Sequence, residues 1–79
     1  MRGITLKMAR KRKLDRGGEF VCVSRRNRFE KVEEIKRWGK SWLVITSQGE
    51  FVTDDYYQMY LMTEEELVSH PVTRTTPRR

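Results

Sequence analysis

The chain has 79 residues (9.5 kDa), with 17 Lys and Arg against 11 Asp and Glu, a formal net charge of +6 and a sequence pI near 9.9. A chain of this length holds one hydrophobic core, and because it buries only about 60% of its unfolded surface that core is expected to be marginal. Cys22 is the only cysteine and His70 the only histidine, which excludes an intrachain disulfide and a zinc site built from soft ligands.

Charge and apolar residues are laid out unevenly. Residues 1 to 19 hold seven basic and two acidic groups, a net +5, and the stretch from Pro71 adds three arginines. Residues 20 to 70 hold seven basic and nine acidic groups, and all the aromatics lie between Phe20 and Tyr60. The expected organisation is therefore a basic flexible arm over 1–18, a single folded domain over 19–70 and a basic flexible tail over 71–79. In the arm, Leu6, Met8, Ala9 and Leu14 have loosely helical spacing, but the four like charges from Arg10 to Lys13 repel one another and oppose a helix. Gly17 and Gly18 would end any helix that formed.

Phe20 to Ser24 follows this glycine pair with β-branched and aromatic residues and is predicted to be a first strand. Arg25-Arg26-Asn27-Arg28 makes a basic turn in which Asn27 best tolerates a left-handed backbone. From Phe29 to Trp38 the apolar residues recur every three positions, which fits neither a flat strand nor a helix. A strand with a bulge near Glu33-Glu34 accommodates that spacing. Gly39-Lys40 turns the chain into Trp42 to Ser47, the clearest strand. Gln48-Gly49 is the expected two-residue loop of a hairpin returning through Glu50 to Thr53. Trp42, Val44 and Phe51 share one side of that hairpin, and Ile45 and Val52 the other.

Asp54-Asp55 interrupts the pattern. Beyond it, alternation places Tyr57, Met59 and Leu61 on one face of a strand, while Asp54 could equally cap a single helix running to His70; the punctuation that follows favours the strand. Thr63-Glu64-Glu65-Glu66 has the form of a capping box, so a short helix should start there, docked through Leu67 and Val68 and closed by Pro71. The fold class these elements define is mainly β: four or five short strands in a small curled antiparallel sheet, or a barrel of SH3- or Sm-like type, with one short C-terminal helix and flexible basic termini.

Catalytic chemistry finds little to use. Asp54-Asp55 and Glu64 to Glu66 are adjacent carboxylates, which diverge on a strand and fan out on a helix where two-carboxylate catalysis needs them to converge. His70 sits beside Pro71 with no orienting carboxylate at a telling spacing. Cys22 lies in an apolar strand, where burial raises a thiol's pKa and removes its reactivity. Gly17-Gly18 lacks the third glycine and the Lys-Ser/Thr of a phosphate loop. The expectation is a non-enzyme with no metal, no cofactor and no small-molecule substrate.

The basic residues say more. Lys11, Arg12 and Lys13 in the arm, Arg25, Arg26 and Arg28 in the turn, and Lys36, Arg37 and Lys40 around Trp38 form three clusters interleaved with aromatic residues. Arginine forks match phosphate oxygens, and aromatics on a sheet stack bases, although Phe29, Trp38 and Trp42 are expected mostly to be core. The expected function is a small, largely phosphate-directed RNA- or DNA-binding domain. The alternative is a small adaptor or inhibitor that docks on a larger protein. It would use the segment 50–70, which holds six acidic groups and no Lys or Arg, together with Tyr56, Tyr57 and Tyr60. No stretch approaches the ~20 apolar residues of a membrane span, and the basic start lacks the apolar run of a secretory signal, so a cytoplasmic protein without a membrane partner is expected.

Overall fold

The computed structural model describes residues 1–69, and the expected tail 71–79 and His70 lie outside the described residues. The chain runs β1 (Arg2–Thr5), α1 (Leu6–Arg10), β2 (Asp15–Arg16), β3 (Glu19–Arg25), β4 (Arg28–Trp38), β5 (Ser41–Thr46), β6 (Gly49–Thr53), β7 (Gln58–Thr63) and α2 (Glu64–Ser69). All pairings are antiparallel, in the order β1-β7-β3-β4-β5-β6, with β2 added to β3. The mainly β class stands, and β3 to β7 supply the five expected strands. The sheet is open: β1 and β6 are its two ends and do not pair. It is nevertheless strongly curled. The Arg25 guanidinium at the end of β3 lies 4.4 Å from the Phe51 ring centroid on β6, and that ring lies 5.1 Å from Tyr57 at the start of β7.

β4 is the element that bends the sheet. Its pairing with β5 shifts between Val32 and Glu34, so the extra residue falls at Glu33, as the three-residue spacing predicted. A bulge increases local twist and re-aims the side chains beyond it. Here it brings Ile35 and Arg37 into register with Val44 and Trp42. The β5–β6 hairpin keeps the expected faces but not the expected loop. Thr46 pairs with Gly49, so the two loop residues are Ser47-Gln48 rather than Gln48-Gly49. Moving the turn back by one position shifts each strand partner by two, which leaves the alternation of side chains unchanged. The cause is local: the Thr46 hydroxyl accepts from the Gln48 N–H at 3.1 Å and donates to the buried Glu30 carboxylate at 2.7 Å.

The expectation of a flexible arm over 1–18 is corrected by the packing. β1 pairs with β7 from Arg2↔Leu61 to Thr5↔Gln58. Thr5 then caps α1, its hydroxyl accepting from Met8 N–H at 3.3 Å. The Leu6 and Lys7 amides donate to the carbonyls of Tyr57 and Asp55. Leu6 and Ala9 are completely buried, and with Ile4 they meet Val21, Val23, Val32, Val44, Met59 and Leu61 in one core. The run Arg10 to Lys13 does end the helix, whose cap is Lys11, but by then three apolar side chains are already docked. Gly17-Gly18 is no helix stop. Both residues have positive φ, 60° and 83°, and they turn β2 into β3.

The other face of β3 and β7 carries a second apolar layer. Cys22 and Met62 are fully buried there, and the Lys31 ammonium lies 3.9 Å from the Phe20 ring centroid while pairing with Glu64 at 2.9 Å. Thr63 and Glu66 close the capping box, with Thr63 N–H donating to the Glu66 carboxylate at 2.9 Å and Glu66 N–H to the Thr63 hydroxyl at 3.2 Å. α2 docks less tightly than expected, because Leu67 is half-buried and Val68 is exposed.

Candidate functional site

The three predicted basic clusters fall at different places, and β4 decides where. Arg25, Arg26 and Arg28 stand at the β3–β4 turn, and Lys36, Arg37 and Lys40 at the β4–β5 turn. The two turns lie at opposite ends of the 11-residue β4, so they form no common patch. The first turn is also partly satisfied internally. Arg25 packs on Phe51, and Arg28 donates to the Gln48 side chain at 3.0 Å and lies 3.7 Å from the Glu30 carboxylate. Only Arg26, at the apex, is without such a contact among the described residues.

The third cluster does gain neighbours, from α1 and the segment after it. The Trp42 ring has the Arg10 guanidinium 4.0 Å from its centroid and that of Arg37 at 4.9 Å. Arg10 is held in place by Asp55 at 3.4 Å. This arrangement follows from the β4 bulge, which puts Arg37 opposite Trp42, and from the docking of α1, which delivers Arg10 to the same ring. A cleft of about 390 Å³ opens beside it, lined by the apolar Ala9, Leu14, Ile35 and Trp42 and by the charged Arg10, Arg12, Glu33 and Glu34. A second cleft of about 260 Å³ is lined by Arg2, Arg12, Arg16, Gly17 and Glu19. Arg12 belongs to both. The result is a basic strip running from Arg37 through Arg10 and Arg12 to Arg16 and Arg2.

Of the expected arm residues, Arg12 thus becomes part of a defined site, half-buried, while Lys11 and Lys13 are exposed on the same connection. Arg2, Arg10 and Arg16 were missed as site residues. Their one sequence signal was the excess of basic over acidic groups in the first 19 positions, which a flexible arm accounts for equally well. Within the second cleft Arg2 pairs with Glu19 at 3.2 Å, and Arg12 Nε–H donates to the Lys13 carbonyl at 3.2 Å. Among the described residues Arg12, Arg16, Glu33 and Glu34 take part in no ion pair.

The aromatic residues divide. Trp38 is 58% exposed beside Lys36 and Lys40, contrary to its assignment to the core, whereas Trp42 and Phe29 are half-buried. The tyrosines do not form a ladder. Tyr57 packs against Phe51, Tyr60 meets Phe29 edge-on at 5.5 Å on the opposite side of the sheet, and Tyr56 projects alone from a turn in which its N–H donates to Asp54.

Burial pushes the Cys22 thiol up from 9.0 to about 11, with Lys31 opposing the shift, so Cys22 is a core residue as expected. No group of His, Cys, Asp and Glu among the described residues could hold a metal ion, and no helix among them is long and apolar enough to cross a membrane. No protein-family model, curated protein or solved structure matches the chain.

Proposed function

We propose that the protein is a small, non-catalytic nucleic-acid-binding module that engages RNA or DNA chiefly through phosphates. The observation that carries this reading is the place of Arg12, shared by two clefts whose rims also hold Arg2, Arg10 and Arg16. Guanidinium forks suit phosphate oxygens, and Trp42 holds two of them, those of Arg10 and Arg37, against its ring. Arg37, Lys36 and Lys40 extend the strip past Trp42. Lys11 and Lys13 add charge beside Arg12, and Arg26 adds a remote point of attraction at the other end of β4.

The experiment is a titration of a labelled oligonucleotide between about 50 and 200 mM salt, where each phosphate contact contributes a slope of roughly 0.7 to 0.9 in log K against log salt. Replacing Arg12, Arg16 and Arg37 with Ala should reduce the slope by roughly 2 or more. An Arg26→Ala variant should change it by less than 1. A triple variant with the slope of the parent, or a parent protein that binds neither RNA nor DNA at about 50 mM salt, would overturn the proposal.

A further inference from the structure

The two ends of the sheet are in different states. β1 is four residues long, carries the charge of Arg2 and runs straight into α1, and short, charged strands blunt an edge. β6 has no such protection. It pairs only with β5, and no Lys, Pro or bulge lies between Gly49 and Thr53. The two-residue loop closes on Thr46↔Gly49 as a hydrogen-bonded pair, so Gly49, Phe51 and Thr53 exchange bonds with β5 while the N–H and C=O groups of Glu50 and Val52 point outward. Neither backbone has a hydrogen-bond partner among the described residues, and the Val52 side chain is 49% exposed.

We propose that β6 pairs with β6 of a second copy of this chain, antiparallel about a two-fold axis at Phe51, so that two sheets become one. The inference stands apart from the nucleic-acid reading above. Its register follows from charge. Antiparallel strands exchange bonds between residues whose backbones both face the partner, which here are Glu50 and Val52. Setting Glu50 opposite Glu50 of the second copy opposes two carboxylates. Setting Val52 opposite Val52 brings Glu50 against Asp54, which opposes two more. Like charges directly opposite are destabilising. Setting Glu50 opposite Val52 avoids both, and it alone overlaps the whole strand, with Gly49 opposite Thr53 and Phe51 opposite Phe51.

In that register Glu50 and Val52 exchange N–H and C=O bonds with Val52 and Glu50 of the second copy, and all the outward groups of β6 are satisfied. Phe51, already half-buried against Tyr57, meets the same ring across the axis. On the opposite face the exposed Val52 lies against the aliphatic stem of the facing Glu50. The contact is self-complementary, so it closes at a dimer.

The test is sedimentation equilibrium of the full chain, free of nucleic acid. An interface one strand wide is smaller than the roughly 800 Å² per partner of stable complexes, so association belongs between about 10 µM and 1 mM. The apparent mass should rise over that range from 9.5 kDa towards twice that value and no further. The Glu50 and Val52 amides should exchange slowly at the upper concentration and rapidly at the lower. Val52→Glu sets a carboxylate opposite each Glu50 and should weaken association about 10-fold or more, whereas Val52→Lys sets an ammonium there and should associate at least as tightly as the parent. Position 52 is exposed in the single chain, so neither variant disturbs the core. Equal weakening by both variants overturns the register and the proposal with it. Growth beyond a dimer overturns the two-fold axis. A parent that stays monomeric at about 1 mM overturns the proposal and leaves this edge to a strand of another protein.

Discussion

At the apex of the β3–β4 turn, Arg26 and Asn27 hold φ of 52° and 63°, the two consecutive positive values that a type I′ turn demands. Asparagine tolerates this conformation and arginine does not, so Arg26 stores strain on the order of 1 kcal/mol. Arg26→Asn should therefore raise stability by about 0.5 to 1 kcal/mol, read as a higher urea midpoint at unchanged slope. An unchanged or lower midpoint would mean that the arginine side chain compensates its own backbone. Cys22 offers a second test at this scale. The folded protein holds the thiol proton up to about pH 11, whereas the unfolded thiol ionises near 9.0. Above pH 9.0 the unfolded chain therefore binds fewer protons than the folded one, and stability falls with rising pH until the folded thiol also ionises. The Tyr57 hydroxyl, also raised by burial, adds to the loss in the same direction. A Cys22→Ala variant should show a shallower decline between pH 9 and 11 in thermal melts, and parallel curves would remove Cys22 as its cause.

At the scale of elements, α1 and β1 make the N-terminal segment part of the core. Leu6 is completely buried, and truncating such a side chain costs about 2 to 5 kcal/mol, a large share of the stability of so short a chain. Leu6→Ala should leave the protein largely unfolded at 37 °C or lower its melting temperature steeply. The amides of Leu6 and Lys7, bonded to Tyr57 and Asp55, should show slowed hydrogen exchange in the parent protein. Rapid exchange at both would restore the flexible arm. The physical reason this segment was illegible is that its evidence is sparse and its charge conspicuous. Thr5 as a cap, with Ile4, Leu6 and Ala9 as three small contacts, competes with four consecutive cations, and only the facing β7 strand decides the outcome. Elements with internal pattern were legible: the three-residue spacing gave the bulge in β4, Thr63 and Glu66 gave the start of α2, and alternation gave β7. The β5–β6 loop was missed by one residue because Gly49 drew attention to itself, while the bond from Gln48 N–H to the Thr46 hydroxyl set the turn. Trp38 was placed in the core because an aromatic in a strand usually is, yet it sits at the end of β4 where the sheet has run out.

At the scale of the whole molecule, the curl of the sheet decides which charges act together. Sequence order suggested three basic clusters, but the candidate site joins only one of them whole, Lys11 to Lys13, with Arg10 from α1 and Arg37 from β4. Coupling between substitutions should follow this assembly. Arg10 and Arg37 share the Trp42 ring, so removing either frees the ring and the other guanidinium to rearrange. Arg26 and Arg37 stand at opposite ends of the 11-residue β4 and share no partner among the described residues. Distant substitutions add within about 0.3 to 0.5 kcal/mol, whereas those with a shared partner depart from additivity by about 0.5 to 3. In oligonucleotide binding at one fixed salt concentration, the Arg10→Ala, Arg37→Ala cycle should therefore be non-additive and the Arg26→Ala, Arg37→Ala cycle additive. Additivity in both would mean that the two guanidinium groups meet ligand independently of Trp42. Coupling in the second would require a path along β4, such as bending at the bulge, that ties the two ends of the sheet together.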